Sequence, residues 1–291
     1  AKVDFARGIT GPARQDLDHA QRLAPGSASG FRIRARVLLE SGRLDEALDQ
    51  FAKALAALPE PDPDVLLDRG AILEELRRPA EAAAEYAQAT EVDPGRPEAW
   101  VGRVRCELAR GDLGTAATLL PQAQDLHSGA AGLALALGIV RHGQQDWRAA
   151  IRALDKALEL TRSERGEADG ATAAWRGVGE ADARSHWAGL VRWPCPPAGI
   201  LHVRALCHAA SGAPDLAERD WNAALELERD YLPALLARCE LALDAGRAQA
   251  ALPDARRIVA LVPRLPRALV LRARAYVGIG DLAAAKADLD A

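Results

Sequence analysis

Residues 215–227, DLAERDWNAALEL, decide the fold. Ala217 is followed by a large residue four positions on, Trp221, and by another small one seven positions on, Ala224. Offsets of four and seven fall on one stripe of an α-helix. Residues 44–55, LDEALDQFAKAL, repeat the arrangement with Ala47, Phe51 and Ala54. The opening alanine returns at Ala13, Ala47, Ala82, Ala116, Ala150, Ala183, Ala217, Ala251 and Ala285, always 33–35 residues from the last. A period held this closely along a whole chain marks an array of one repeated unit.

The neighbours of that alanine keep the same phase. Leu17, Phe51, Tyr86, Leu120, Leu154, Trp187, Trp221 and Leu289 supply the large side chain, and Ala20, Ala54, Ala89, Ala123, Ala157 and Ala224 the second small one. Small residues on both sides of a large one let a second helix approach closely while the large side chain fills the gap. Five residues ahead of the opening alanine stand Gly8, Gly42, Gly111, Gly212, Gly246 and Gly280, which predict a turn, because glycine adopts positive φ without steric cost. Asp112, Asp215 and Asp281 begin the helix after the turn, where its positive end favours acids. Pro25, Pro59, Pro94 and Pro263 end it. Each unit therefore reads as helix, turn, helix.

With these residues in hand, the chain resembles the tetratricopeptide repeat family, whose unit is a 34-residue helix pair. The resemblance matches the family's fourth position at Phe31, Leu66, Trp100, Leu201, Leu235 and Leu269, and its eighth at Ala35, Gly70, Gly138, Ala205 and Ala273. It implies an all-α fold, a right-handed α-solenoid of antiparallel helix pairs forming a superhelix. One departure is regular. Where the family usually carries Leu, at its seventh position, this chain has Arg34, Arg69, Arg103, Arg204, Arg238 and Arg272. These arginines either lay their stems along a neighbouring helix and pair with an acid at its edge, or form a basic ladder for a ligand.

The phase divides the chain. Residues 1–27 read as a truncated unit, 28–163 as four repeats, and 198–291 as two complete repeats and a partial one. More chain is expected both upstream and downstream of such a fragment, and a terminal repeat without a polar cap exposes apolar surface. The stretch 164–197, with Trp175, Trp187 and Trp193, is either a degenerate repeat, since Ala183 and Trp187 are in phase, or a Gly/Trp-rich insert. Its tryptophans would then cover the joint between the halves or form a contact site.

Composition narrows the function. The 291 residues carry a formal net charge of -4, which argues against a dedicated nucleic-acid binder. No apolar run is long enough for a membrane span, and the reading is cytoplasmic or nuclear. Cys106, Cys207 and Cys239 lie among apolar residues and read as reduced, buried thiols. No zinc, phosphate-loop, dinucleotide or nucleophile-elbow motif is present, so no catalytic residue, metal or cofactor is expected.

The resemblance implies a scaffold or adaptor that binds proteins on the concave groove of its first helices. The family's inward positions here are Arg32, Arg36, Leu67, Val101, Arg105, Leu135, Ile139, His202, Leu206, Leu236 and Arg274, with Leu39, Ala71, Glu74, Leu108, His142, Ala209, Glu240, Leu243, Val270 and Val277. A peptide, helix or domain with apolar anchors and some acidic residues would suit such a face, unless flanking domains of the same chain cover it. The family's clamp for carboxylate tails uses Lys and Asn, and this chain has the single Asn222, on a second helix. The rival readings are a regulatory or substrate-presenting segment of a larger enzyme, and an RNA-binding solenoid built on the arginine ladder.

Overall fold

The computed structural model describes residues 26–167 and 197–290. The in-phase residues of 1–25, with Ala183, Trp175, Trp187 and Trp193, lie outside the described residues. Contacts divide the chain into two compact units, 1–128 and 129–291.

Every described helix falls where the period predicts one. The first unit holds α1 (Ala28–Glu40), α2 (Leu44–Ala56), α3 (Pro63–Glu75), α4 (Pro79–Val92), α5 (Pro97–Arg110) and α6 (Leu113–Leu126). The second holds α7 (Ala131–Gly143), α8 (Trp147–Glu167), α9 (Pro197–Ala210), α10 (Pro214–Leu227), α11 (Leu232–Asp244), α12 (Ala248–Leu261), α13 (Pro266–Ile279) and α14 (Leu282–Leu289). Each odd-numbered helix packs on the even-numbered one after it, and within a unit the next pair follows on. This is the helix-pair packing of an α-solenoid.

The alanine stripe is the seam. Ala47, Phe51 and Ala54 are wholly buried, as are Ala217 and Ala224, with Trp221 between them almost so. Burying such a large side chain contributes about 2–3 kcal/mol. Contact is tight enough to exclude a methyl group in places. A Cβ at Gly70 or Gly102 would lie 2.7 Å from the Tyr86 ring, which those two glycines sandwich.

The turns follow the glycine series. Gly42, Gly111, Gly212, Gly246 and Gly280 have φ of 71–85°. In the two described repeats lacking that glycine, Arg77 (φ 60°) and Gln145 (φ 61°) take the same left-handed conformation, at a cost of about 1 kcal/mol each. Asp112 and Asp281 cap their helices through the amides of Thr115 and Ala284. Asp215 instead sits in the first turn of α10, behind Pro214.

Four of the six ladder arginines pair with acids. Arg204, Arg238 and Arg272 each grip an aspartate sixteen residues on, Asp220, Asp254 and Asp288, with Nε 2.8 Å from one carboxylate oxygen and Nη2 on the other. Arg69 reaches Glu85 at the same spacing, 2.9 Å away. The Arg204 and Arg238 guanidiniums also cross to the preceding pair. Arg204 Nη1 donates to Asp155 at 2.6 Å, and Arg238 Nη1 to Asn222 at 2.5 Å.

The crossing from Arg204 bears on the middle of the chain. α9 packs directly on α8 and touches α7, as α13 packs on α12 and touches α11.

Candidate partner-binding faces

The sequence-predicted inner face divides into three kinds of residue. Val101, Leu135, Ile139 and His202 are buried, at 0–4% exposure. They are packing residues: Trp221 Nε1 donates to His202 Nδ1 at 3.2 Å, and the Tyr231 ring meets the His202 ring edge-on. Leu67, Leu206 and Leu236 are half-buried.

The arginines are all engaged. Arg32 Nη1 lies 2.6 Å from Asp62 Oδ2, and Arg36 Nη2 lies 3.2 Å from Asp68 Oδ2. Burial nevertheless pushes the Asp68 carboxyl above its ordinary value, the Arg36 charge only partly offsetting it. Arg105 is set between α3 and α5, its Nε 2.6 Å from Glu74 Oε1 and its Nη2 on Glu74 Oε2. Tyr86 OH donates to the same carboxylate at 2.9 Å. Burial works against the Arg105 charge, yet Glu74 outweighs it and holds the guanidinium above its ordinary value. Arg274 is exposed and pairs with Asp244 at 2.8 Å. The expected basic ends of the face are thus matched by acids from adjacent first helices.

Of these acids, Glu74 was among the inward positions read from the sequence, and Asp62, Asp68 and Asp244 were the residues sequence reasoning missed. Their signal was present: each stands 30–32 residues from its arginine, about one repeat away. Arg267 with Glu240 extends the series in the second unit, 2.6 Å apart.

What remains open on this face is apolar. Val270 and Val277 on α13 are 46% and 55% exposed, and Leu236 and Leu243 on α11 and Leu206 on α9 are half-buried. An apolar strip edged by satisfied ion pairs can take an apolar ligand side chain with little polar desolvation.

The three described cysteines are buried. Burial pushes the Cys207 and Cys239 thiols up to about 12 and Cys106 higher still, so the nucleophilic thiolate is scarce at neutral pH. Among the described residues, no cluster of three or more His, Cys, Asp or Glu is placed to hold a metal ion. Among them too, no helix is long and apolar enough to cross a membrane. Trp175, Trp187 and Trp193, the expected insert contacts, lie outside the described residues.

Comparison with known proteins agrees with the repeat reading. Two family models described as Tetratricopeptide repeat match residues 11–63 and 38–105. No curated protein matches the sequence significantly. The solved APC/C hetero-tetramer Cut9-Hcn1 contains a chain similar to this one at TM-score 0.69 and 16% identity, over 92% of this chain and 46% of that one. This chain therefore spans about half the length of that relative. A tetratricopeptide repeat protein from Parabacteroides merdae is similar at TM-score 0.61 and 15% identity, over 90% of both chains. Pseudomonas aeruginosa pilF is similar at TM-score 0.60 and 15% identity, over 78% of this chain and 88% of that one. At these identities the likeness is one of fold. The helix pairs, their period and the two family matches over residues 11–105 show a chain built of tetratricopeptide-type repeats.

Proposed function

We propose that this chain is a non-catalytic protein-interaction scaffold that receives a peptide, helix or partner domain on the inner face of α9, α11 and α13. The observation that carries the reading is the exposure of Val270 and Val277 beside half-buried Leu236 and Leu243. These side chains sit at positions where the family's repeats meet ligands, on a repeat fold that presents a rigid row of helices. The partner that fits supplies apolar anchors. The arginines of the face already have acidic neighbours, so acidic groups on the partner add less than the sequence suggested.

The pairing of Arg69, Arg204, Arg238 and Arg272 with acids leaves the ladder a poor track for phosphates, which need available cations. That pairing speaks against the RNA-binding reading. The test is quantitative affinity capture with the full-length protein, comparing wild type with Val270→Asp/Val277→Asp. Both positions are exposed, so the variant should fold. Loss of the specifically captured protein supports the reading, and capture at wild-type level overturns it.

A further inference from the structure

Arg103 differs from the other ladder arginines. It is half-buried on α5, which packs on both α4 and α6. Among the described residues it nevertheless makes no hydrogen bond or ion pair. The cause lies at the two positions that hold the guanidinium elsewhere. For Arg238 they are Asp254, sixteen residues on, and Asn222, sixteen residues back. For Arg204 they are Asp220 and Asp155. For Arg103 the residue sixteen on is Leu119 and the residue sixteen back is Ala87.

Neighbouring acids do not replace the missing acceptors. Glu107, one turn along α5, is bound by Arg110 at 2.8 Å, and Glu85 on α4 by Arg69 at 2.9 Å. Glu91, one turn beyond Ala87, is exposed and is not bonded to Arg103. A half-buried guanidinium with apolar side chains where its acceptors belong keeps its donors unsatisfied by protein. The second unit shows what satisfies them: a carboxylate, whose two oxygens match the guanidinium fork in geometry and charge. The setting at Arg103 is apolar. Ala87 and Leu119 are half-buried, and Leu126, seven residues beyond Leu119 and so on the same helical stripe, is 51% exposed.

We propose that Arg103, at the junction of α4, α5 and α6, is a docking point for one aspartate or glutamate side chain of a protein partner, with an apolar residue beside it. The partner's carboxylate takes the place that Asp220 and Asp254 hold in the second unit, and its apolar neighbour covers Leu119 and Leu126. A single cation in apolar surroundings suits a single acid of this kind better than a phosphate, whose binding rests on several cations. The site uses none of the residues of the α9, α11 and α13 face, and its test is independent of that face.

The test is an amide NMR titration of the ¹⁵N-labelled full chain with the peptide acetyl-Leu-Glu-Ala-Leu-amide, to about 10 mM, since one anchor residue gives millimolar affinity at best. Shifts at residues 87–91, 100–107 and 119–126, absent with the Gln-for-Glu peptide, support the site. Arg103→Gln should weaken binding at least about fivefold and leave Tm unchanged, because this guanidinium holds nothing in the fold. Leu119→Asp, which installs the acid of the other junctions, should close the site to the peptide and place its own carboxylate on Arg103. No shifts at those residues, equal shifts with the Gln peptide, or undiminished binding to Arg103→Gln would overturn the proposal. A fall in Tm for Arg103→Gln would overturn it too, by showing that the guanidinium is already used within the fold. The same shifts produced by inorganic phosphate, or by concentrating the chain alone, would assign the site to free anions or to a second copy and overturn the partner reading.

Discussion

Removing the Arg204 guanidinium should damage this protein more than removing either of its acids. Arg204→Met keeps much of the stem but strands Asp220, a side chain only 10% exposed that loses both of its guanidinium donors. Breaking a buried ion pair from one side costs about 3–5 kcal/mol. Arg204 keeps 22% of its side chain exposed, so water can partly replace it, and we expect a loss near the lower end, about 3 kcal/mol. Asp220→Ala leaves Arg204 with Asp155 at 2.6 Å and some solvent, which puts its cost at about 1–2 kcal/mol. The double variant Arg204→Met/Asp220→Ala leaves no stranded charge there and should cost less than the sum of the singles by about 1.5 kcal/mol or more. Urea unfolding followed by far-UV circular dichroism gives the free energies. Native-state hydrogen exchange then locates the loss, because a repeat stack can open locally. The Arg204→Met loss should appear first in α8, α9 and α10, which the guanidinium joins. A loss under about 1 kcal/mol, additive single variants, or exchange unchanged across those three helices would refute the clamp.

Three further outcomes follow from the turns, the seam and a cap. Arg77→Gly and Gln145→Gly should each stabilise the protein by up to about 1 kcal/mol, since both positions hold positive φ that glycine adopts without strain; a fall in Tm would contradict this. Gly102→Ala should destabilise by about 1–3 kcal/mol, because its methyl would meet the Tyr86 ring at 2.7 Å and the ring is held by Glu74; unchanged urea midpoints would show that the ring moves freely. The Thr115 amide, and then its hydroxyl, hold the Asp112 carboxyl below its ordinary value. That cap therefore contributes fully above the unfolded-state value and is lost as pH falls through the folded-state value. Asp112→Ala should lower Tm at pH 7 and leave it near wild type at pH 2–3; an equal deficit at both would refute the charge-dependent cap.

Much of the fold was legible without coordinates. Helix pairing depends on which residues share a stripe, and offsets of four and seven residues are a property of the chain alone. That is why Ala47, Phe51 and Ala54, or Ala217, Trp221 and Ala224, identify the buried seam by themselves. The glycine turns were legible for the same reason: a positive φ is a local demand, and Arg77 and Gln145 met it where glycine was absent. The arginine at the seventh position was visible too, and in four of the six units an acid stands sixteen residues on.

What each arginine does, and which inner-face residues stay open, was decided by neighbours one repeat away. Val101 and Val270 hold the same repeat position, yet one is 0% and the other 46% exposed. Exposure is set by surrounding elements, and no residue's own type or phase encodes them. Arg36, Arg105 and Arg274 read alike in a list of inward positions, but tertiary packing brought an acid to each. The direct packing of α9 on α8 is likewise a long-range choice. The contacts of Arg204 with Asp155 and Asp220 join pairs that stand far apart in the sequence. Short-range periodicity follows from the geometry of one helix; the partner a helix stacks on follows from surfaces that meet only after folding.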